Sequence, residues 1–225
     1  MNIISRVVKR FVTGGKKQSF GLNQLDLKLE PYLSYRNGFF IEAGASDGIS
    51  QSNTLYFERY KNWRGILIEA VPELAIQCKE NRPNCTVENC ALVSFDYPEI
   101  FVEMRYCRLM SIVKGALTTP EVEEDHIRRG CQMQGVSSYD LRVPARTLTS
   151  ILDEYGVTTI DFLSLDVEGY EINVLKGIDF GKYHPNLMLI EALDSSFRDE
   201  IDRFLRQLYR PIATLSERDV LYKYK

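Results

Sequence analysis

Four acidic residues each follow a short, largely apolar run, and they are the side chains in this sequence best suited to chemistry. They are Glu42, Glu69, Asp166 and Glu191. Short apolar runs bounded by turns indicate buried parallel strands, and the carboxyl ends of such strands meet at one edge of a sheet. We therefore expect these carboxylates to gather at that edge, where α/β proteins bind their ligands.

A turn with two glycines follows the first acid, in the sequence Glu42-Ala43-Gly44-Ala45-Ser46-Asp47-Gly48. The glycines free the backbone and let a ligand approach the main chain. A G-x-G-x-x-G turn for diphosphate needs glycine where this chain has Ser46, and an acid before the first glycine repels phosphate. The turn instead favours a ligand with a cationic group, such as S-adenosylmethionine, for which class I methyltransferases use the pattern E/D-x-G-x-x-x-G.

The composition limits the architecture and the partners. The chain has 225 residues, of which 44% are hydrophobic, and this fits one α/β domain with a substantial core. A net charge of −3 provides no basic field, so we expect no nucleic-acid partner. The five cysteines form no C-x-x-C pair, which favours reduced thiols and a cytoplasmic location. No apolar run reaches the roughly 18 residues of a transmembrane segment.

The chain is predicted to divide into a helical lead-in at residues 1–37 and a main domain at 38–225, with an insertion at about 97–143. Residues 2–12 mix Lys and Arg with apolar residues, unlike the apolar region of a signal peptide. They predict a terminal helix that packs on its own domain. Contact of this helix with a membrane surface or a partner is the less favoured alternative.

The predicted elements follow the order of a doubly wound α/β sheet. Five strand–helix units and a terminal hairpin indicate a seven-stranded sheet with an antiparallel end strand. Among these elements are a helix over 24–35 and a strand over 86–93. In the insertion we expect a hairpin over 100–113, a helix over 120–129 and then a glycine-containing loop. An insertion of this kind usually forms a lid or a substrate wall, because the parallel sheet does not need it.

Two segments, taken in order, resemble the FkbM family of S-adenosylmethionine-dependent methyltransferases. The first is the turn at 41–48, and the second is Ile-Asp-Phe-Leu-Ser-Leu-Asp-Val-Glu-Gly-Tyr-Glu at 160–171, followed by Val-Leu-Lys-Gly at 174–177. Gly65-Ile66-Leu67-Ile68-Glu69-Ala70 lies between them. The resemblance covers about residues 38–192 and implies a Rossmann-like class I methyltransferase fold that binds S-adenosyl-L-methionine.

A cofactor site is also predicted along the strand ends. From its place at the tip of the second strand, Glu69 is expected to accept hydrogen bonds from the ribose hydroxyls, and Asn89 to contact the adenine edge. The alternative for Glu69 is capping of the next helix as an anion at its N-terminus. The family often has Asp at the position of Glu42, so the contact of this longer side chain with the cofactor is expected to run through water. The predicted cofactor site comprises Glu42, Gly44, Ala45, Ser46, Asp47, Gly48, Asn53, Glu69, Ala70, Asn89, Cys90, Ala91 and Asp166.

The implied reaction is methylation of a hydroxyl on a glycan or a small molecule, and Asp166 and Glu191 are the candidate catalytic residues. They could act as a general base or bind Mg²⁺. The alternative for Asp166 and Glu168 is capping of the next helix. His126 is a further candidate base, because the insertion that carries it could cover the acceptor.

Two other functions are compatible with the same residues. A non-catalytic binding or regulatory module could retain the methyltransferase fold, because fold does not fix function. A nucleotide-sugar oxidoreductase is less favoured because of Ser46.

Overall fold

Short strands rich in Phe, Ile, Leu and Val alternate with helices through residues 17–225, the part of the chain that the computed structural model describes. The helix predicted over residues 2–12 lies outside this range. The strands are β1 (Phe39–Ala43), β2 (Arg64–Ile68), β3 (Thr86–Glu88), β4 (Ala91–Leu92), β5 (Phe101–Tyr106), β6 (Ile112–Val113), β7 (Tyr139–Arg146), β8 (Phe162–Leu165), β9 (Leu187–Glu191), β10 (Tyr209–Thr214) and β11 (Asp219–Tyr224). The α-helices are α1 (Leu25–Leu29), α2 (Leu55–Lys61), α3 (Pro72–Asn81), α4 (Pro120–Gln134), α5 (Leu148–Glu154), α6 (Glu171–Leu175) and α7 (Ser195–Leu205).

Seven strands form the main sheet, in the order β10-β11-β9-β8-β1-β2-β3. The pairs from β3 through β9 are parallel, whereas β11 runs antiparallel to both β9 and β10. The predicted Rossmann-like class I methyltransferase fold, with seven strands and an antiparallel strand at the end of the chain, is therefore confirmed.

Apolar cores cover both faces of the main sheet. Alternate residues of one strand point to opposite faces, so Phe162 joins the core beside α1, α2 and α3, whereas Leu163 joins the core beside α5, α6 and α7. Leu29 and Leu33 are buried in the first of these cores, on the chain that leads into β1. The domain boundary between 37 and 38 stays a prediction. Within residues 17–225, no helix has the length and hydropathy required to cross a membrane.

A second sheet, which the sequence did not reveal as a sheet, has the order β4-β7-β5-β6. The predicted hairpin is present as the antiparallel pair β5 and β6. Strand β7 was not predicted; it pairs antiparallel with β5 along its length and parallel with β4. Partners so distant along the chain leave no local pattern, so the pairing could not be inferred.

Two predicted elements are shorter than expected. The helix over 24–35 is only α1, because Pro31 has no N–H to donate to a carbonyl in the preceding turn. The strand over 86–93 is split into β3 and β4, which belong to different sheets. Between them the Asn89 side chain donates hydrogen bonds to the carbonyls of Glu69 and Ala70, both at 2.8 Å, and so holds the chain where it changes sheets.

The helix predicted over 120–129 is longer than expected, because Gly130 lies inside α4 rather than in a loop. A Cβ atom at Gly130 would lie 2.6 Å from Cys107 Sγ, so glycine allows the helix to pack closely there. The helix ends at Gly135, which has φ of 65°.

The carboxyl ends of β1 and β8 meet at the position where the order of parallel strands changes direction. Gly44 follows β1 with φ of +83°, and a Cβ atom on it would lie 1.8 Å from the carbonyl oxygen of Asp166. Asp166 N in turn donates to Ala43 O at 3.2 Å. The two strand ends are therefore in direct backbone contact, which only glycine at position 44 permits.

We expect Gly44→Ala to destabilise the protein far more than Gly115→Ala. Gly115 has a similar φ of +80°, but a Cβ atom on it would have no neighbouring atom within 4 Å, so this variant isolates the backbone penalty of about 1–2 kcal/mol. Gly44→Ala adds the collision with Asp166, and its total loss should reach roughly 4 kcal/mol. Urea denaturation measures both, and equal losses would contradict the close contact between the strand ends.

Candidate active site

A cavity of about 480 Å³ lies at the carboxyl ends of the central strands of the main sheet. The glycine turn after β1 and the chain after β2 line one side, and the residues that follow β8 and end β9 line the floor. A further wall is formed by α4 and by the 3-10 turn Arg108–Met110, which follows β5. The insertion therefore covers the edge of the sheet where ligands bind in doubly wound folds.

Glu42 is buried at the end of β1, and its carboxylate is held by the chain that starts α2. Oε1 accepts a hydrogen bond from Asn53 N at 2.8 Å, while Oε2 accepts bonds from Ser52 Oγ at 2.9 Å and Thr54 Oγ1 at 2.5 Å. Arg82 NH1 lies 3.8 Å from Oε2. Glu42 therefore has a structural role in shaping the glycine turn, in addition to lining the cavity.

Arg82, at the end of α3, is the cation of this buried network, and its side chain is 0% exposed. Its Nε donates to Glu58, its NH1 to Gly48 O at 3.0 Å and Ser52 Oγ at 3.2 Å, and its NH2 to Thr54 Oγ1 at 3.1 Å. No sequence pattern indicated this role, because these residues lie 24 to 34 positions away.

Glu69 lies at the end of β2 and is also buried. Its Oε2 accepts a hydrogen bond from Ser46 N at 2.7 Å, and its Oε1 accepts one from Val71 N at 2.8 Å, at the start of α3. Burial raises the pKa of Glu69 to about 7, although these backbone hydrogen bonds oppose the shift. The carboxylate thus ties the glycine turn to the second strand, and each oxygen keeps a lone pair for a further donor.

The predicted cofactor residues fall into two groups. Those that line the cavity are Glu42, Gly44, Ser46, Glu69, Ala70, Cys90, Ala91 and Asp166. Those that do not line it are Ala45, Asp47, Gly48, Asn53 and Asn89. Three of the second group have structural contacts instead: Asp47 accepts from Ser50 N at 2.7 Å, Asn53 donates to Ser164 Oγ at 3.1 Å, and Asn89 holds the chain between β3 and β4. The role of either group in cofactor binding stays a prediction.

Three carboxylates meet on the cavity floor. Oxygens of Asp166, Glu168 and Glu191 all lie within 4.8 Å of one another. Asp166 is exposed to the cavity but lies deep among protein atoms, so burial, followed by repulsion from Glu191 and Glu168, raises the pKa of Asp166 well above its usual value. Burial is also the main cause that raises the pKa of Glu168 to about 8. The cluster therefore attracts either a proton or a cation.

The donor set of this cluster fits a divalent cation such as Mg²⁺, which prefers carboxylate oxygens. The sequence predicted the pair Asp166 and Glu191, and the structure adds Glu168. One oxygen of Glu191, Oε2, is buried and has no hydrogen-bond partner among residues 17–225. Arg218 NH1 lies 3.6 Å from Glu191, so one guanidinium lies beside the cluster. His126 Nε2 lies 3.6 Å from Glu168, but burial lowers the pKa of His126 and so favours its neutral form.

Glu168 and Gly169 both adopt left-handed backbone conformations, with φ of 54° and 95°. This turn is held by Glu171, whose Oε1 accepts hydrogen bonds from Val167 N at 3.1 Å and Gly169 N at 3.2 Å. The Oε2 atom of Glu171 is buried without a partner among the described residues. Burial raises the pKa of Glu171 to about 7. A positive φ at a non-glycine residue raises the free energy of the folded state, and residues with this strain are common at functional sites.

The cavity wall contains residues that were not predicted. On α4, His126, Arg129 and Met133 line the cavity, at the i, i+3, i+7 spacing of one helix face. That spacing was available in the sequence, but only His126 was considered. Arg108 and Met110 line the cavity from the turn after β5, where the sequence carries no recognisable motif.

The fold and the site together define the class of protein to which the chain belongs. A Rossmann-like methyltransferase fold carries a cavity at the switch in strand order, with a glycine turn on one side and carboxylates on the floor. The sequence profile "Methyltransferase FkbM domain" matches residues 42–211, which is more than half of the chain. The chain therefore belongs to the FkbM methyltransferase family, as the two sequence segments predicted.

Solved structures with a similar fold include several methyltransferases. Precorrin-6y C5,15-methyltransferase from Geobacter metallireducens GS-15 has 9% sequence identity and a TM-score of 0.49, with 95% of this chain and 93% of that chain covered. The human methyltransferase 10 domain containing protein has 10% identity and a TM-score of 0.49, with 89% and 81% covered. A TehB-like SAM-dependent methyltransferase from Corynebacterium glutamicum has 9% identity and a TM-score of 0.44, with 89% and 88% covered. No curated protein matches the chain.

We expect the Glu171→Gln variant to show how the contribution of this buried carboxyl to the free energy of unfolding depends on pH. The pKa of Glu171 is about 7 when folded against 4.5 ordinarily, so the folded state keeps a proton that the unfolded chain loses. Its contribution to stability is present below pH 4.5 and is lost as the pH rises to about 7. At pH 8 the variant should be more stable than wild type by roughly 1–3 kcal/mol, and at pH 4 about equal.

Urea denaturation at the two pH values measures this difference. Exposed Glu217 makes no side-chain hydrogen bond or ion pair within residues 17–225, and Glu217→Gln provides the control. A Glu171→Gln protein that is less stable than wild type at pH 8 would show that the carboxylate form is needed to hold the turn.

Proposed function

We propose that this chain transfers a methyl group from S-adenosylmethionine to a hydroxyl group of a glycan or small-molecule acceptor. The observation that carries this proposal is that the glycine turn after β1 and the carboxylate cluster after β8 and β9 line one cavity. Membership of the FkbM methyltransferase family supports methyl transfer as the reaction. When bound, S-adenosylmethionine supplies a methyl group that its positive sulfur has already activated.

The donor side of the cavity suits a cationic nucleoside. Gly44 presents bare backbone there, and the acids Glu42 and Glu69 make the surroundings negative. Glu69 is the proposed ribose acceptor, because each of its oxygens carries one backbone hydrogen bond and retains a lone pair. Ser46 N already donates to Glu69, so the turn and the proposed ribose acceptor are fixed relative to each other. The turn and Glu69 therefore need little conformational change when the cofactor binds.

Asp166 is the proposed base on the acceptor side. An alcohol is a weak nucleophile until its proton is removed, and a carboxylate with a raised pKa removes that proton more readily than an ordinary one. The proton of the hydroxyl would pass to Asp166 as the acceptor oxygen takes the methyl group, the carbon–sulfur bond breaks and S-adenosylhomocysteine is left. Glu191 and Glu168 keep the pKa of Asp166 high by repulsion, after burial, which is the largest cause.

The same cluster supports a second mechanism for that step. Three carboxylates in contact with one cavity can bind a divalent cation, and a cation lowers the pKa of an alcohol that it binds. Asp166 and Glu191, with Glu168, would then be ligands rather than bases. The two mechanisms predict different responses to a chelator.

Calorimetric titration tests cofactor binding directly. We expect S-adenosylmethionine to bind and NAD not to bind, because the acid before Gly44 repels a diphosphate. Glu69→Ala should weaken S-adenosylmethionine binding about 10- to 100-fold, the usual effect of losing hydrogen bonds to a charged group. Glu73→Ala is the control, since Glu73 is exposed on α3. Binding of NAD alone, or full affinity in a folded Glu69→Ala protein, would refute the respective assignment.

Asp166→Asn tests the acceptor side. The amide has nearly the same shape, so the fold and most of the cofactor affinity should persist, while turnover should fall about 10²- to 10⁴-fold. Turnover is measured as S-adenosylhomocysteine released with the best acceptor from a panel of alcohols and methyl glycosides. Asp199→Asn, at an exposed position on α7, is the control.

The response of the wild-type enzyme to EDTA separates the two mechanisms. Activity that is unaffected by EDTA supports the base, whereas activity that EDTA abolishes and Mg²⁺ restores supports the cation. Unchanged turnover in Asp166→Asn would exclude both and leave Asp166 with a structural role at the strand end.

A further inference from the structure

We propose that the acceptor is an amphipathic anion: a hydroxyl at one end, an apolar body, and an anionic group that pairs with Arg108 at the other. This inference rests on the proposed function, because it concerns the acceptor side of the same cavity. It narrows the acceptor from any glycan or small molecule to one chemical class. The wall formed by α4 and the turn Arg108–Met110, called the acceptor wall below, carries the evidence.

The acceptor wall and the neighbouring strands are apolar. Five of their side chains line the cavity: Met104, Leu109, Met110, Val113 and Met133. Three of these are methionines, in a chain that has only five. Methionine is flexible and polarisable, and surfaces rich in it adapt to apolar ligands of varied shape. Met133 is 79% exposed at the rim, where a large apolar side chain is unfavourable unless something covers it.

The neutral polar side chains at the acceptor wall already make hydrogen bonds to backbone groups of the protein. Ser111 Oγ donates to Arg108 O at 2.7 Å and accepts from Cys107 N at 2.9 Å. Gln134 Oε1 accepts from Leu109 N at 3.1 Å, and its Nε2 donates to Cys107 O at 3.0 Å. Both residues therefore hold the turn in place rather than serve a ligand.

One ring nitrogen of His126 also has a partner, because Nε2 lies 3.2 Å from Met110 O, whereas Nδ1 makes no hydrogen bond with any of residues 17–225. A neutral sugar needs many free donors and acceptors, since each of its hydroxyls must replace its bonds to water. The acceptor wall offers few of them. This favours an acceptor with an apolar body over a neutral glycan.

The cations of the cavity point to an anionic group. Arg129 pairs with Asp125 at 2.6 Å, and Arg218 lies 3.6 Å from Glu191. Arg108 lines the same cavity, and its guanidinium makes neither a hydrogen bond nor an ion pair with any of residues 17–225, although its charge acts on Asp47 in the glycine turn. A guanidinium recognises a carboxylate or phosphate through paired hydrogen bonds, so Arg108 is available for such a group.

The backbone of Arg108 is also held in a fixed conformation before any ligand binds. Its φ is 52°, which is unfavourable for a residue other than glycine, and its carbonyl accepts the bond from Ser111 Oγ. The hydrogen bonds that Ser111 and Gln134 make to the backbone of this turn maintain the conformation. Because the backbone is fixed in advance, the conformational entropy that Arg108 loses on binding is confined to its side chain.

The charges of the cavity set the order of groups along the acceptor. The carboxylates of Asp166, Glu168 and Glu191 repel an anion, so the anionic group should lie away from the floor while the hydroxyl reaches Asp166. The apolar side chains of the acceptor wall line the same cavity and would contact the part of the acceptor that joins these ends. The hydroxyl and the anion are therefore expected at opposite ends of an apolar chain.

The probe that tests this inference is 10-hydroxydecanoate, compared with 1,10-decanediol, 4-hydroxybutanoate and methyl glucoside. Calorimetry with protein saturated by S-adenosylhomocysteine measures their affinities. We expect 10-hydroxydecanoate to bind at least about ten-fold tighter than the diol, because of the charged pair, and more than ten-fold tighter than 4-hydroxybutanoate, because of the methylenes. Methyl glucoside should bind most weakly. Tightest binding by methyl glucoside, or equal binding of acid and diol, would overturn the inference.

Arg108→Gln should remove the preference for the acid over the diol, and Arg108→Lys should retain part of it. Arg142→Gln is the matched control, because Arg142 is an exposed arginine of the same small sheet that does not line the cavity. Far-UV circular dichroism checks that each variant is folded.

Titration of Arg108→Gln with S-adenosylmethionine distinguishes the acceptor from the carboxylate of the cofactor as the source of the anion. Unchanged affinity for S-adenosylmethionine supports the acceptor. A loss confined to S-adenosylmethionine, with binding of 10-hydroxydecanoate intact, would assign Arg108 to the cofactor and overturn the inference. The proposed function would survive either result, since its own failure appears as absent binding of S-adenosylmethionine to the wild-type protein.

Discussion

The buried guanidinium of Arg82 is the interaction on which the candidate site depends. It joins the end of α3 to the carbonyl of Gly48, to the start of α2 and to the carboxylate of Glu42. A buried charge is stable only when its partners surround it, so removing one partner leaves the others uncompensated, at a cost of about 3–5 kcal/mol. The glycine turn therefore does not hold its shape by itself. Hydrogen bonds to α2 and α3, which lie on one face of the sheet, hold the turn in place.

Most of the main sheet was predictable because its information is local. Apolar runs such as that of β8, each bounded by turns, indicated buried strands in the correct order, and the acids after them marked the ligand edge. Asp166 and Glu191 do meet there, and Glu42 and Glu69 line the same cavity. Because parallel strands end at one edge, positions along the chain were enough to bring these residues together.

What could not be predicted depends on contacts between distant segments. Strand β7 was missed because its partners β4 and β5 lie far from it in sequence, and Gly130 was misinterpreted because its packing against Cys107 is a tertiary contact. The role of Arg82 is similar, since an isolated arginine in a sequence looks like a surface residue. Glu168 was considered only as a helix cap, and its left-handed backbone brings its carboxylate into the cluster.

The two sheets share no hydrogen-bonded strand pair within residues 17–225, and this separation has a consequence for evolution. Substitutions or changes of length in β5, β6, α4 and β7 can alter the surface above the carboxylates without shifting the register of β1, β2, β8 or β9. A lineage with this architecture can therefore exchange one substrate for another while it inherits the same reactive centre. The same separation makes the small sheet, with its helix, a natural unit for grafting between homologues.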